Sequence, residues 1–377
     1  MHIAFLTPEY PHKSVHYSAG IGTSIKNLAT ALVECGYECT LFIYGQKVNQ
    51  IFVENGIHFH LIKQKQYKVG GFYFYRKYIQ DYINNNSHGI DVIEAPDWTG
   101  ITAFMKLKKP LVIRLHGSDT YFCHLEHRSQ KKKNFLFEKW ALRKANALTS
   151  VSNFTSQKTK TLFNLSFDIT VIPNLIALKN FKPVGQQSKV PYILNFGSVI
   201  RKKGVIALAK AFNLLAQTND EVHLKYLGKD VKDSLTGTMT SDLIKQEIDS
   251  EYHNRVVFLN QVPYEKVNSY INGASVVCLP SYAEAFPMTW LEAMALEKPL
   301  VTSNIGWAPE LMIDETTGLM IHPDHTATFM HAIYRMLTDK EFALECGLNA
   351  RKHLQSHFSK AQIIEKNIAF YQQVMNL

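Results

Sequence analysis

Two glutamates eight residues apart, Glu284 and Glu292, flank the point where an apolar run of strand length gives way to a helical pattern, in Ser281-Tyr282-Ala283-Glu284-Ala285-Phe286-Pro287-Met288-Thr289-Trp290-Leu291-Glu292. A helix start presents N–H groups without partners inside the helix and the positive end of its dipole, which together suit a phosphate. Phe286, Pro287, Met288 and Thr289 lie at that start. Proline costs little there, because its missing N–H would be unpaired anyway. An ionised carboxylate only accepts hydrogen bonds, and sugar hydroxyls are good donors. One carboxylate before the anion site and one after it can hold hydroxyls on either side of a diphosphate. The plainer reading is a helix cap at Glu284 and a solvated residue at Glu292; strand, proline and helix start in one frame favour the first.

A second loop, Phe196-Gly197-Ser198-Val199-Ile200-Arg201-Lys202-Lys203-Gly204, also follows a strand and opens a helix. Gly197 permits close backbone approach, and Arg201 and Lys203 can neutralise a diphosphate, although alone this is a solvated basic turn. Gly228 ends another strand in Leu227-Gly228-Lys229-Asp230. Gly20 and Gly22, in Ser18-Ala19-Gly20-Ile21-Gly22-Thr23-Ser24, begin a helix whose N–H groups can face an anion. A dinucleotide fingerprint is disfavoured, because Ile25 stands where the third glycine belongs. His116, in Arg114-Leu115-His116-Gly117, stands at a strand end where an imidazole can donate to an oxygen or a developing charge. Asp97 and Trp98 end the preceding strand as an acceptor wall, with a ring to stack on a sugar and a carboxylate for a hydroxyl; capping of the next helix by Asp97 is an equal alternative.

The elements that must position these residues alternate as βαβ units. Strands are expected at 3–6, 39–44, 91–94 and 111–115 in the first half, with a helix at 22–33 closed by Gly36. In the second half they are expected at 192–196, 223–227, 256–259, 276–280 and 299–303, with helices at about 205–216 and 288–296. This pattern calls for parallel sheets covered by helices on both faces. The division reads as a first domain 1–174, a linker 175–190 and a second domain 191–360; an amphipathic helix at about 361–377 can return to the first domain. Ligands of such sheets bind at the carboxyl ends of the strands.

The frame Glu-x-Phe-x-x-x-x-Leu-Glu-Ala-Met-Ala beginning at Glu284 resembles the nucleotide-sugar motif of retaining glycosyltransferases of family 4, and the resemblance runs over nearly the whole chain. It implies the GT-B fold, an α/β architecture of two doubly wound Rossmann-like domains facing a central cleft. It further implies that Glu284 holds hydroxyls of the donor sugar, Glu292 the ribose and Lys203 the diphosphate. His116 is similar to the family's His-Gly at the donor sugar, and Gly20, Gly22, Gly197 and Gly228 to its donor-side glycines. Four positions depart from the pattern: Ala19 for the first Gly of Gly-Gly-Ile-Gly, Ser198 for an Arg, Pro287 for a Gly and Asn260 for a Gly. Arg201 is the candidate to replace the cation missing at Ser198. The implied reaction moves a sugar from a nucleoside diphosphate sugar, with a UDP-sugar favoured, to a hydroxyl of a glycan or lipid-linked acceptor in cell-surface polysaccharide synthesis. It is retaining, hexosyltransferase-type and independent of metal or other cofactor; no Asp-x-Asp motif is present. An epimerase of the same fold and a non-catalytic nucleotide-sugar binder are the alternatives.

The 377 residues, 46% hydrophobic and 12% aromatic, exclude a disordered chain. The five cysteines are scattered without zinc spacing, which suits the reducing cytoplasm. No apolar run approaches a membrane span, and the N-terminus reads as a strand rather than a signal peptide. The net charge of +9 belongs to the first half: 21 Lys and Arg stand against 12 Asp and Glu through Asn174, whereas the remainder has 20 of each. Either these lysines only solubilise, or the first domain faces something anionic. No nucleic-acid motif accompanies the charge, so nucleic acid is not an expected partner. Cations mixed with aromatics at 68–78 and around 121–133 suit an anionic membrane surface, and hence a cytoplasmic enzyme peripheral on the inner face; packing of those aromatics in the core is the alternative.

Overall fold

The computed structural model describes residues 1–185 and 188–376. Residues 186 and 187 of the expected linker, and residue 377 of the expected terminal helix, lie outside the described residues. The chain divides into two compact units: Met1–Ile176 with the stretch from Phe358 onward, and Ala177–His357.

The first unit contains, in chain order, β1 (His2–Thr7), α1 (Gly20–Glu34), β2 (Glu38–Gln46), β3 (Gln50–Glu54), β4 (Ile57–Lys63), α2 (Gly71–Asn85), β5 (Val92–Pro96), β6 (Leu111–Leu115), α3 (Asp119–Leu125), α4 (Lys132–Lys144), β7 (Ala147–Ser150), α5 (Asn153–Phe163) and β8 (Thr170–Val171). Its sheet runs β3-β4-β2-β1-β5-β6-β7-β8, and only the β3–β4 pair is antiparallel. Strand β1 shows why the apolar runs are continuous. Ile3 and Phe5 face a core that includes α1, while Ala4 and Leu6 face a second core that includes α2. A strand covered on both faces has no solvent side on which to alternate. The β3–β4 hairpin, absent from the sequence reading, turns at Asn55-Gly56 with φ 51° and 76°, the left-handed pair that a two-residue hairpin turn demands.

The C-terminal helix, Lys360–Met375, packs on this unit's sheet through Ile363, Ile364, Phe370, Tyr371 and Val374. Its polar anchor is buried. Arg114 on β6 forks onto Glu94 on β5 at 2.8 and 2.9 Å and donates to Asn367 Oδ1 at 2.6 Å, and the Tyr371 hydroxyl donates to Glu94 at 2.8 Å.

The second unit contains β9 (Tyr192–Phe196), α6 (Val205–Ala216), β10 (His223–Leu227), α7 (Thr240–Gln246), β11 (Val256–Phe258), α8 (Tyr264–Gly273), β12 (Val276–Leu279), α9 (Met288–Ala295), β13 (Leu300–Thr302), β14 (Leu319–Met320), α10 (Thr326–Thr338) and α11 (Lys340–His357); the terminal helix that follows, α12 (Lys360–Met375), belongs to the first unit. The second unit's sheet is parallel throughout, in the order β11-β10-β9-β12-β13-β14. Strand order reverses between β9 and β12, and at such a switch point the strand-end loops part to admit a ligand.

Candidate active site

The second unit's strand ends are tied to one another by their backbones. Gly197 N–H donates to Leu227 O at 3.0 Å, and Gly228 N–H to Asn260 O at 2.9 Å. Gly228 has φ 146°, and a Cβ there would collide with the Gly197 carbonyl; only glycine closes this edge. Tyr282 N–H donates to Lys202 O at 2.8 Å, which fastens the loop after β12 to the basic turn. The Thr289 methyl lies 3.6 Å from where a Gly197 Cβ would stand, so the first turn of α9 borders the Gly197 turn.

This framework brings three expected residues together. Lys203 Nζ ion-pairs with Glu284, whose Oε1 also accepts from Ser281 Oγ at 2.9 Å. Glu292, on the second turn of α9, is buried and accepts from the Tyr264 hydroxyl at 2.7 Å. Burial pushes the Glu292 carboxyl up to about 7, with the Tyr264 hydrogen bond and the Lys203 charge pulling the other way. Tyr264 was not among the expected site residues; its partner lies 28 residues along the chain. Phe286, Pro287 and Met288 are buried, as Glu284 and Glu292 are. Thr289 is half-buried.

Arg201 departs from its expected role. Its guanidinium forks onto Asp233 at 2.8 and 2.9 Å. That hydrogen bond draws the Asp233 carboxyl down to about 2, against its burial. Asp233 in turn accepts from Thr236 N–H and Oγ. The planar fork of Arg201 therefore fixes the 233–237 turn, where a carboxylate matches its geometry, and the position vacated at Ser198 gains no free cation from it.

In the first unit, His116 stands at the end of β6 with its ring half-buried and, among the described residues, without a hydrogen-bond partner. Burial and the Arg114 charge push the imidazole down to about 3, so it is neutral near pH 7. Its backbone N–H donates to Asp97 Oδ1 at 3.0 Å. Asp97 is 1% exposed, which corrects the expectation of a carboxylate open to an acceptor, and its side chain caps no helix. Burial raises its carboxyl to about 8, opposed by the His116 N–H. Asp97 is thus a protonated anchor of the His116 backbone, and of that wall only half-buried Trp98 can reach a ligand.

The turn after Asp97 is strained, with Thr99 at φ 52° and Gly100 at φ 55°. Two helices hold it. Arg76 of α2 donates to Thr99 O and Gly100 O at 3.1 and 3.3 Å. Glu138 of α4, fully buried, accepts from Thr99 N–H at 3.1 Å and from the Asp119 and Thr120 N–H groups just beyond His116.

Gly22 is also corrected, whereas a Cβ at Gly20 would meet nothing within 4 Å. The anion at the start of α1 is the chain's own Glu9, which accepts from Gly22 N–H at 2.7 Å and is held up from the usual carboxylate range by burial. A Cβ at Gly22 would come within 3.0 Å of Tyr10 Cα, so this glycine admits the Glu9-Tyr10 backbone rather than a phosphate.

Two family models match the chain: Glycosyltransferase Family 4 over residues 18–180 and Glycosyl transferases group 1 over residues 178–353. Among curated relatives, a D-inositol 3-phosphate glycosyltransferase of Pseudarthrobacter chlorophenolicus is 24% identical over 90% of this chain and 87% of its own. A glycosyltransferase of Methanocaldococcus jannaschii is 25% identical over 100% and 99%. Among solved structures, the sucrose-phosphate synthase of Thermosynechococcus elongatus superposes with a TM-score of 0.81 at 20% identity, covering 100% of this chain and 99% of its own. HepE of Anabaena, in complex with UDP-glucose, gives 0.74 at 19% identity, covering 99% and 100%.

Proposed function

The chain belongs to the family 4 glycosyltransferases and has their GT-B fold, and on that premise we propose that it moves a sugar, with retention of configuration and without a metal ion, from a nucleoside diphosphate sugar to a hydroxyl of a glycan or lipid-linked acceptor. A UDP-sugar is the favoured donor, and cell-surface polysaccharide synthesis at the cytoplasmic face of the membrane the favoured setting. The observation that carries this reading is the meeting of Lys203, Glu284 and Glu292 around the start of α9.

In the structure Lys203 and Glu284 neutralise each other. A diphosphate offers Lys203 a more highly charged partner, which frees Glu284 to accept hydroxyls of the donor sugar, while Glu292 accepts from the ribose. The first-turn N–H groups of Met288 and Thr289 have no carbonyl four residues back inside the helix and point the same dipole at the phosphates. As the bond from the sugar C1 to the phosphate oxygen breaks, charge grows on the departing diphosphate. Lys203 and the helix start stabilise that charge. The acceptor hydroxyl bonds to C1 on the face the diphosphate leaves, and its proton goes to the leaving phosphate oxygen. His116 of the first unit, neutral near pH 7, keeps a hydrogen-bond donor at the end of β6 without adding a cation there.

The test is a panel of nucleotide sugars with candidate acceptors, read by mass. Glycosylated acceptor plus free nucleoside diphosphate supports the reading. A new nucleotide sugar formed without acceptor makes the protein an epimerase, and binding without turnover makes it a binding protein.

A further inference from the structure

We propose that the face of the first unit formed by the start of α2 and the exposed side of α4 docks reversibly on an anionic lipid bilayer, and that it carries the acceptor-side turn with it. The proposal rests on the transferase reading only for its purpose, the delivery of a lipid-linked acceptor.

Exposed aromatic rings here are continuous rather than scattered. Phe72 and Phe74 are 50% and 49% exposed and Trp140 46%, with Tyr73 and Leu136 also exposed. Phe104 joins the two helices, with its ring centroid 5.5 Å from Tyr73 and 4.9 Å from Trp140. Tyr67 extends the cluster at 5.7 Å from Phe74. Monomeric soluble surfaces rarely expose contiguous apolar patches of this kind unless they bind something.

The rim selects the partner. Residues 63–77 carry five Lys and Arg and no acid; residues 131–144 carry six and a single acid, Glu138, which is buried. Rings flanked by lysines match a bilayer interface, where aromatics sit at headgroup depth and cations meet anionic lipid. No helix among the described residues is long and apolar enough to cross a membrane, so attachment through this face is peripheral.

The patch is also wired to the site. The two residues that pin the strained Thr99-Gly100 turn, Arg76 and Glu138, come from the same helices as the exposed rings. Arg76 lies two residues beyond Phe74, and Glu138 between Leu136 and Trp140. A bilayer that seats these helices therefore seats the turn behind Trp98 as a unit with them.

The full-length protein is sedimented with vesicles of phosphatidylcholine alone and of phosphatidylcholine with about one third phosphatidylglycerol, at low and high salt. The proposal requires binding to the anionic vesicles at low salt, weakened at high salt. The triple variant Phe72→Ser/Phe74→Ser/Trp140→Ser should bind them at least tenfold more weakly while keeping UDP affinity and thermal midpoint. A second variant, Lys131→Gln/Lys132→Gln/Lys133→Gln, keeps the test independent of the folding of the first and should lose binding as well. Absence of wild-type binding overturns the proposal, as does full binding by the aromatic variant, or RNA competing the protein off vesicles at equal charge. These readouts use neither donor sugar nor acceptor, so they fail separately from the transferase reading.

Discussion

At the scale of single residues, Glu292 makes the sharpest prediction. A carboxyl held at about 7 is part-protonated at neutral pH, and only the ionised form accepts from both ribose hydroxyls. UDP affinity should rise between pH 6 and 8 in calorimetry, and Glu292→Gln should flatten the rise. Tyr264→Phe removes a hydrogen bond that favours the ionised form, so the midpoint should move upward. Glu292→Ala should weaken UDP by about 2–4 kcal/mol, with charged hydrogen bonds at about 1.5–3 each. Asp97 gives a stability prediction. Its folded carboxyl titrates near 8, against 3.8 in its ordinary state, so the folded chain holds an extra proton between those values. The contribution is whole below about 4 and declines until pH passes about 8. Relative to Asp97→Asn, the wild-type melting temperature should fall across that window and level off beyond it; a constant offset contradicts a protonated Asp97. That Lys203, Glu284 and Glu292 lie together is legible from the sequence, because strand ends and a helix start recur in one frame at these residues. Their partners are not. Tyr264 with Glu292, Arg201 with Asp233 and Glu9 with Gly22 are pairs 28, 32 and 13 residues apart, and no periodicity in a sequence reports which distant side chain satisfies a charge.

At the scale of elements, the strand-end loops of the second unit depend on glycines that cannot be replaced. Gly228→Ala drives a methyl into the Gly197 carbonyl, and Gly204→Ala drives one into that of Pro280. Each residue also has positive φ, and strain of that kind alone costs about 1–3 kcal/mol. Either change should destabilise the protein by at least about 3 kcal/mol or abolish UDP binding, measured by denaturant unfolding and calorimetry; a stable variant with unaltered UDP affinity contradicts the backbone account. Elements with long apolar runs and clear ends, such as β6, β9, β10 and α6, match their expected ranges residue for residue. The β3–β4 hairpin is not evident from the sequence although Asn55-Gly56 is the dipeptide its turn needs, because the apolar run of β3, Ile51-Phe52-Val53, is only three residues long and the strand is largely exposed. The Gly20-Gly22 loop looked like a phosphate cradle because a helix start is one until a carboxylate from elsewhere occupies it.

At the scale of the whole molecule, the terminal helix α12 belongs to the first unit although the second unit intervenes in the chain. The Arg114–Glu94 pair and its bonds to Asn367 and Tyr371 hold it there. Burial would lower the Arg114 pKa, but Glu94 and Tyr371 together more than offset it, so removal of Glu94 strands a buried charge. Glu94→Ala should destabilise the protein by about 3–5 kcal/mol, with the loss confined to the unfolding transition of the first unit. The central claim, that the chain transfers sugar from a nucleotide donor held by Lys203, Glu284 and Glu292, is tested most directly by product mass spectrometry with UDP-sugars and a lipid-linked acceptor. The account predicts glycosylated acceptor and free UDP from the wild type, with turnover reduced about 10²–10³-fold in Lys203→Ala, the magnitude for loss of one group aimed at developing charge. Turnover by Lys203→Ala at the wild-type rate, or no consumption of any nucleotide sugar by the wild type, would contradict it.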